Sequence, residues 1–174
     1  MDKRKEANLR VRTSITDALF TLMRKKELKE ITVTEIIRES GVARASFYRN
    51  YSSKEDVLVG LIRDVLEQYR SMDVFDAAHP FSYNNLLSGL RLFNAYRVRA
   101  LALYNAGFGQ LILDELNAFH ESLIGPLPAD FLLRYLNYVY IGILYNVGIS
   151  WMREESPRPL EEVVQEIVSR FHQD

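Results

Sequence analysis

The sequence predicts an all-α fold. Apolar residues recur at three- and four-residue spacings through nearly every segment, the period of one helix face. No sustained two-residue alternation bounded by hairpin signals occurs, so no sheet is expected. Near the N-terminus two short helical segments are separated by a glycine, which sets a small N-terminal group of helices apart from a larger remainder.

Val11, Ile15, Ala18, Leu19, Leu22 and Met23 define a first helix of about residues 4–26. Thr32 followed by Glu35 forms a capping box, so a second, short helix starts near Val33 and carries Ile36 and Ile37 inward. Gly41 stands where that helix must end, because glycine accepts the left-handed conformation cheaply. Val42 plugs the corner, and a third helix runs from about Arg44 with Phe47 as its inward anchor. Ser53 with Asp56 is a variant capping pair that starts a fourth helix at Lys54, with a stripe from Val57 to Tyr69. Asp76 to Pro80 is a break. Ser82 caps the next helix, expected to reach about Ala106, with a kink at Gly107 and Gly109. The stretch 125–128 reads as a loop, a helix of about 130–154 follows, and the Pro-rich turn at 156–159 starts the last helix.

Composition narrows the class. Apolar residues make up 48% and charged residues 26%, as in a folded globular protein rather than a disordered chain. Cysteine is absent, which excludes disulfides and thiolate metal sites and suits a reducing compartment. The charged N-terminal residues lead into no apolar run, so no signal peptide and a cytoplasmic location are expected. Residues 1–56 hold 13 Lys/Arg against 9 Asp/Glu, a net of +4, while the remainder carries −5. The first part can attract phosphate and the second would repel it. Phe131 to Met152 is long enough to span a bilayer, but Arg134, Asn137, Asn146 and Ser150 interrupt it. It reads as a helix buried in a core and a subunit interface, so no membrane partner is expected.

Two short helices joined by a tight glycine-containing turn are a helix-turn-helix. Arg44, Ala45, Ser46, Tyr48 and Arg49 face outward from its second helix. Small residues at the start let the backbone approach base edges, Arg pairs with guanine, and Ser donates or accepts. Tyr48 and Arg49 suit phosphate oxygens, which fix register without reading sequence. The free N–H groups of the fourth helix and the Lys54 ammonium suit a phosphate as well.

The run Gly41-Val42-x-x-Ala45-Ser46-Phe47-Tyr48-x-x-Tyr51-x-Ser53-Lys54-Glu55-Asp56-Val57-Leu58, preceded by Ile31-Thr32-Val33-x-x-Ile36, resembles the TetR family of bacterial transcriptional regulators. The resemblance covers about residues 10–60. It implies a recognition helix beginning at Arg44, Ala45 and Ser46, phosphate contacts from Tyr48 and Lys54, and a further backbone contact from Thr34. Ile37 stands where the family commonly has a small residue, Asn50 replaces a frequent histidine, and Glu27-Leu28 replaces a glycine-containing turn. The implied architecture is a three-helix DNA-binding domain (1–52) joined by a long helix to a helical domain for dimerisation and ligand binding (53–174).

For that second domain the resemblance implies homodimerisation and an inducer. Leu160, Val163, Val164, Ile167 and Phe171 form a stripe on the last helix. With Val139, Ile143 and Val147 on the helix before it, they suggest a four-helix interface, in which Gly142 and Gly148 allow close approach. Phe93, Tyr96, Tyr104, Phe108, His120 and Tyr138 are candidates for a mostly apolar small-molecule pocket. No catalytic residues, metal or cofactor are expected: His79, His120 and His172 lie far apart, and no phosphate-cradling loop or nucleophile elbow occurs. The expectation is a ligand-responsive repressor that binds a palindromic operator in double-stranded DNA. The rival is a co-regulator or activator that docks on protein through its C-terminal domain. A helical enzyme or ligand carrier is the remote alternative.

Overall fold

The computed structural model describes residues 3–124, 131–155 and 157–171, and no strand occurs among them. The expected loop at 125–128, Ser156 and His172 lie outside the described residues, as does the Phe171 side chain. The chain divides into two compact units, Met1–Asp64 and Val65–Asp174, and the division falls inside one continuous helix.

In the first unit α1 (Lys3–Met23) packs on α2 (Val33–Ser40) and α3 (Arg44–Asn50). The core is apolar: Ile15, Leu19, Ile36, Phe47, Val57 and Leu58 are each fully buried. α1 stops at Met23, short of the expected residue 26, because the amides of Lys25 and Lys26 turn back to the Leu22 carbonyl. A 3-10 turn at Leu28–Glu30 then leads to α2. There Thr32 Oγ1 accepts from the Glu35 amide (3.2 Å) and Glu35 accepts from the Thr32 amide (2.9 Å), the full capping box. The Lys26 ammonium also reaches Glu35 at 2.8 Å. Its hydrogen bond first, and the Thr32 bonds second, hold the Glu35 carboxyl well below its ordinary value, at about 2.

Gly41 closes α2 with φ 67°, and its amide bonds the Ile37 carbonyl. An added Cβ there would meet nothing, so the position demands a backbone conformation rather than space. α4 (Lys54–Ser71) starts where expected. Gly60 on α4 lets the buried Tyr51 ring lie directly on the helix, since a Cβ there would stand 2.7 Å from Tyr51 Cε1. Arg12 covers that ring at 5.3 Å and binds Asp64 at 2.7 Å.

In the second unit α5 (Tyr83–Ala95) packs on both α8 (Phe131–Arg153) and α9 (Leu160–Phe171), while α7 (Gly109–Ile124) packs on α8. Small residues set the α5–α8 spacing: Gly89 lies against Leu144, and Gly148 lies against Phe93. Gly148 therefore serves the subunit's own core, not the interface the sequence suggested. The single helix expected from Ser82 to Ala106 is broken at Tyr96 (φ −110°, ψ 18°), which separates α5 from α6 (Arg97–Leu103). The expected kink is present: Gly107 has φ 88° inside a π-helical turn at Tyr104–Phe108.

The segment before α5 is held by one side chain that no sequence motif marks. Asn85 is fully buried. Its Nδ2 donates to the carbonyls of Asp76 (2.7 Å) and His79 (2.9 Å), and its Oδ1 accepts from the Asp76 amide (2.9 Å).

Three outcomes follow from these networks. Thr32→Ala should cost the N-terminal unit about 1 kcal/mol in urea unfolding. Because Glu35 titrates lower folded than unfolded, its ion pair contributes fully above pH 4.5 and that contribution fades as the pH falls toward about 2; stability flat across that range would contradict it. Asn85→Ala should cost the C-terminal unit about 2 kcal/mol, since it removes three side-chain-to-backbone hydrogen bonds at once; a neutral effect would mean the segment does not need the staple.

Candidate nucleic-acid interface

α3 exposes one face and buries one anchor. Phe47 is fully buried, while Arg44, Ala45, Tyr48 and Arg49 are exposed and Ser46 is half-buried. Ile37, expected inward, is half-buried. Thr34 is exposed in the first turn of α2. The Arg44 guanidinium carbon lies 5.5 Å over the Tyr48 ring, which aligns the arginine along the outer face.

A second tether fixes the end of α3. Asn50 Nδ2 donates to the Ser46 carbonyl (2.8 Å), and its Oδ1 accepts from Asn8 Nδ2 on α1 (2.8 Å). A cleft of about 560 Å³ lies beside this contact, lined by Arg4, Lys5, Asn8, Ser46 and Arg49 among others. It brings the basic start of α1 next to the outward face of α3. Asn50 marks a departure from the family pattern in the sequence, but its pairing with Asn8, 42 residues earlier, has no signature there.

The start of α4 differs from expectation in one respect. Ser53 Oγ accepts from the Asp56 amide (3.1 Å), the forward half of the capping pair, while the Asp56 carboxylate accepts from the Ser52 amide (2.9 Å), one residue before the cap. Lys54, however, turns its ammonium inward onto the backbone before α2. It donates to the carbonyls of Leu28 (2.7 Å), Lys29 (3.2 Å) and Ile31 (2.8 Å). An ammonium has three donors, and all three are engaged. Its charge remains at the surface's edge, but its hydrogen bonds hold α4 to the 3-10 turn.

In the C-terminal unit the six pocket candidates do not converge. Phe93 and His120 line a cavity of about 30 Å³ with Tyr69, Phe75 and Tyr140. Tyr96 instead donates to Gln68, Tyr138 is exposed and donates to Glu121, and Tyr104 lies under Arg153. Phe108 is half-buried in the π-helical turn. His120 and Asn137 are both buried and hydrogen-bonded through Nδ1 and Oδ1, and His120 Nε2 and Asn137 Nδ2 have no partner. The imidazole stacks on Tyr140 at 4.7 Å. Burial pushes its pKa below the ordinary value, against the opposing pull of the Asn137 bond.

The interface candidates separate by burial. Leu160 and Val164 belong to the subunit's own core, because α9 packs them against α5 side of the bundle with at most 6% of their surface exposed. Val139 is exposed, and Ile143, Val147, Val163 and Ile167 are half-buried. Among the described residues no group of His, Cys, Asp and Glu could hold a metal ion, and no helix is long and apolar enough to cross a membrane.

Residues 15–61 match the family model described as bacterial regulatory proteins, tetR family. Among solved structures, a TetR transcriptional regulator from Streptococcus agalactiae 2603V is similar, with a TM-score of 0.59 and 19% identity over 96% of each chain. The dihydroxyacetone kinase operon activator DhaS is also similar, with a TM-score of 0.56 and 17% identity over 92% of this chain and 93% of that one. At these identities the likeness is one of fold. No curated protein sequence matches the chain.

The engaged ammonium of Lys54 has a measurable consequence. Lys54→Ala should lower the melting temperature of the N-terminal unit and weaken binding to all duplexes alike, with the slope of log affinity against log salt nearly unchanged. A slope smaller in magnitude by about 1, without loss of stability, would assign Lys54 to a phosphate instead.

Proposed function

The chain belongs, through its N-terminal domain, to the tetR family of bacterial regulatory proteins and is a DNA-binding transcriptional regulator; from that premise we propose that it is a homodimeric repressor of a palindromic operator, released by a small molecule. The observation that carries the reading is the outward face of α3, where Arg44, Ala45 and Ser46 lead and Phe47 is buried behind them. Arg44 to Ser46 read base edges in the major groove, while Tyr48, Arg49 and Thr34 hold phosphates. Lys54 acts from behind, by fixing α4 to the turn that delivers α2.

Dimerisation is supported by α8. Leu136 and Val139 are exposed, Ile143 and Val147 are half-buried, and together they run along one side of the helix. At Gly142, beside that stripe, an added Cβ would meet nothing of its own subunit. A second copy applied two-fold would bury this face with Val163 and Ile167 of α9 and would present two recognition helices to two half-sites. The ligand acts by preferring one of two arrangements of the dimer, and its effect equals its difference in affinity for them. The alternative, a co-regulator or activator that docks on protein through its C-terminal unit, draws on the small size of the C-terminal cavity.

Selection of bound duplexes from a random library should return an inverted repeat. Arg44→Ala should relax preference at one position of each half-site by about 1–3 kcal/mol and leave the others intact. Val139→Glu should convert the dimer to monomer in sedimentation and reduce operator affinity in parallel. Failure to enrich any duplex with the intact dimer would favour the protein-docking alternative.

A further inference from the structure

The first turn of α1 carries its charges against the helix's own field. Lys3, Arg4 and Lys5 open the helix. The N-terminal end of a helix is its positive end, so acids stabilise it and cations do not. Glu6 is the one acid in that turn, and it pairs with Arg10 at 3.4 Å. The three cations are exposed, so the apolar core of the unit does not hold them there.

The fold gives two of these cations a shared boundary. Arg4, Lys5 and Asn8 line the α1 wall of the cleft of about 560 Å³, and Ser46, Arg49 and Asn50 line the α3 wall. Arg4, Lys5 and Arg49 therefore border one concave space, and no carboxylate lines it. All of these residues belong to the N-terminal unit. The two walls are tied together: Asn8 Nδ2 donates to Asn50 Oδ1 (2.8 Å), and Asn50 Nδ2 donates to the Ser46 carbonyl (2.8 Å). A cleft lined by one sign of charge focuses its field outward and gathers the opposite charge. The position along α3 matters as well. When the first residues of a recognition helix meet base edges, its far end, here Arg49 and Asn50, leads toward the phosphates that border the groove.

We propose that the cleft between α1 and α3 is a binding site for the phosphodiester backbone of one strand of duplex DNA. Arg4 and Lys5 add two sequence-independent contacts to that of Arg49, and the Asn8–Asn50 pair holds the two walls in register. The inference rests on the reading of α3 as the recognition helix and extends its footprint to α1. These contacts raise affinity and salt dependence, and they leave base preference to Arg44, Ala45 and Ser46.

The test compares the full-length protein with its Arg4→Gln/Lys5→Gln variant on a duplex recovered by selection. Loss of two phosphate contacts should make the slope of log affinity against log salt smaller in magnitude by about 2, and should weaken binding about 10–100-fold at low salt. Lys5→Gln alone should change the slope by about 1. The base preference of the double variant should match that of the wild type. Its melting temperature should hold or rise, because the substitutions take cations away from the positive end of a helix. Methylphosphonate replacement, one phosphate at a time, should then locate the site: at one or two phosphates the wild type loses affinity and the double variant loses none. Unchanged slope and affinity in both variants would overturn the proposal while leaving α3 as the reader of DNA. Relaxed base preference would overturn it too, by assigning Arg4 and Lys5 to base edges. A wild-type protein that enriches no duplex would overturn this proposal and the DNA-reading role of α3 together.

Discussion

The outward face of α3 depends on the burial of a single ring, that of Phe47. α3 has seven residues, far fewer than the roughly 12–15 at which an isolated helix becomes even marginal in water. It persists because Phe47 is fully buried in the same unit as Ile36, Val57 and Leu58, with its ring against Tyr51. Full burial of such a side chain contributes about 2–3 kcal/mol. The ring also sets the rotation of the helix. With Phe47 inward, Arg44, Ala45 and Tyr48 are outward, and no other rotation keeps both the core filled and the arginine in solvent. Tyr51 extends the same anchor, and Gly60 makes room for it by having no side chain.

Around this apolar centre, the irregular segments are held by polar side chains that reach back to the main chain. Lys54 gathers three carbonyls of the turn before α2. Glu35 closes the start of α2 and accepts Lys26 as well. Asn85 does for the segment before α5 what Lys54 does for the turn before α2. In each case a short stretch with no helical ladder of its own gets its backbone bonds from one side chain. Those groups would otherwise depend on water.

The C-terminal unit follows a different rule. Its helices approach closely where Gly89 and Gly148 remove a side chain, and the space left between them is small. His120 lines that space and is hydrogen-bonded to the buried Asn137.

How far the chain could be read from its residues differs between the two units. The helix-turn-helix was legible because its determinants are local: Thr32 with Glu35, Gly41 at φ 67°, and Ser53 with Asp56 act within four residues. Periodicity likewise located α8 and α9, whose apolar stripes span many turns. Periodicity could not divide those stripes between core and surface. Leu160 and Val163 look alike in sequence, yet one is buried in the subunit and the other is not, a difference made by where α5 crosses. The break at Tyr96 was equally hidden, since no proline or glycine marks it. Lys54 shows the division most clearly. Its place at the start of α4 is written in the sequence, where a helix N-terminus and an ammonium together suggest a phosphate contact. The three carbonyls that bind it lie 23 to 26 residues earlier, and only the folded chain brings them within 3.2 Å. Short-range backbone chemistry is thus carried by neighbouring residues. The partner of a long side chain is decided by whatever the tertiary fold places within its reach.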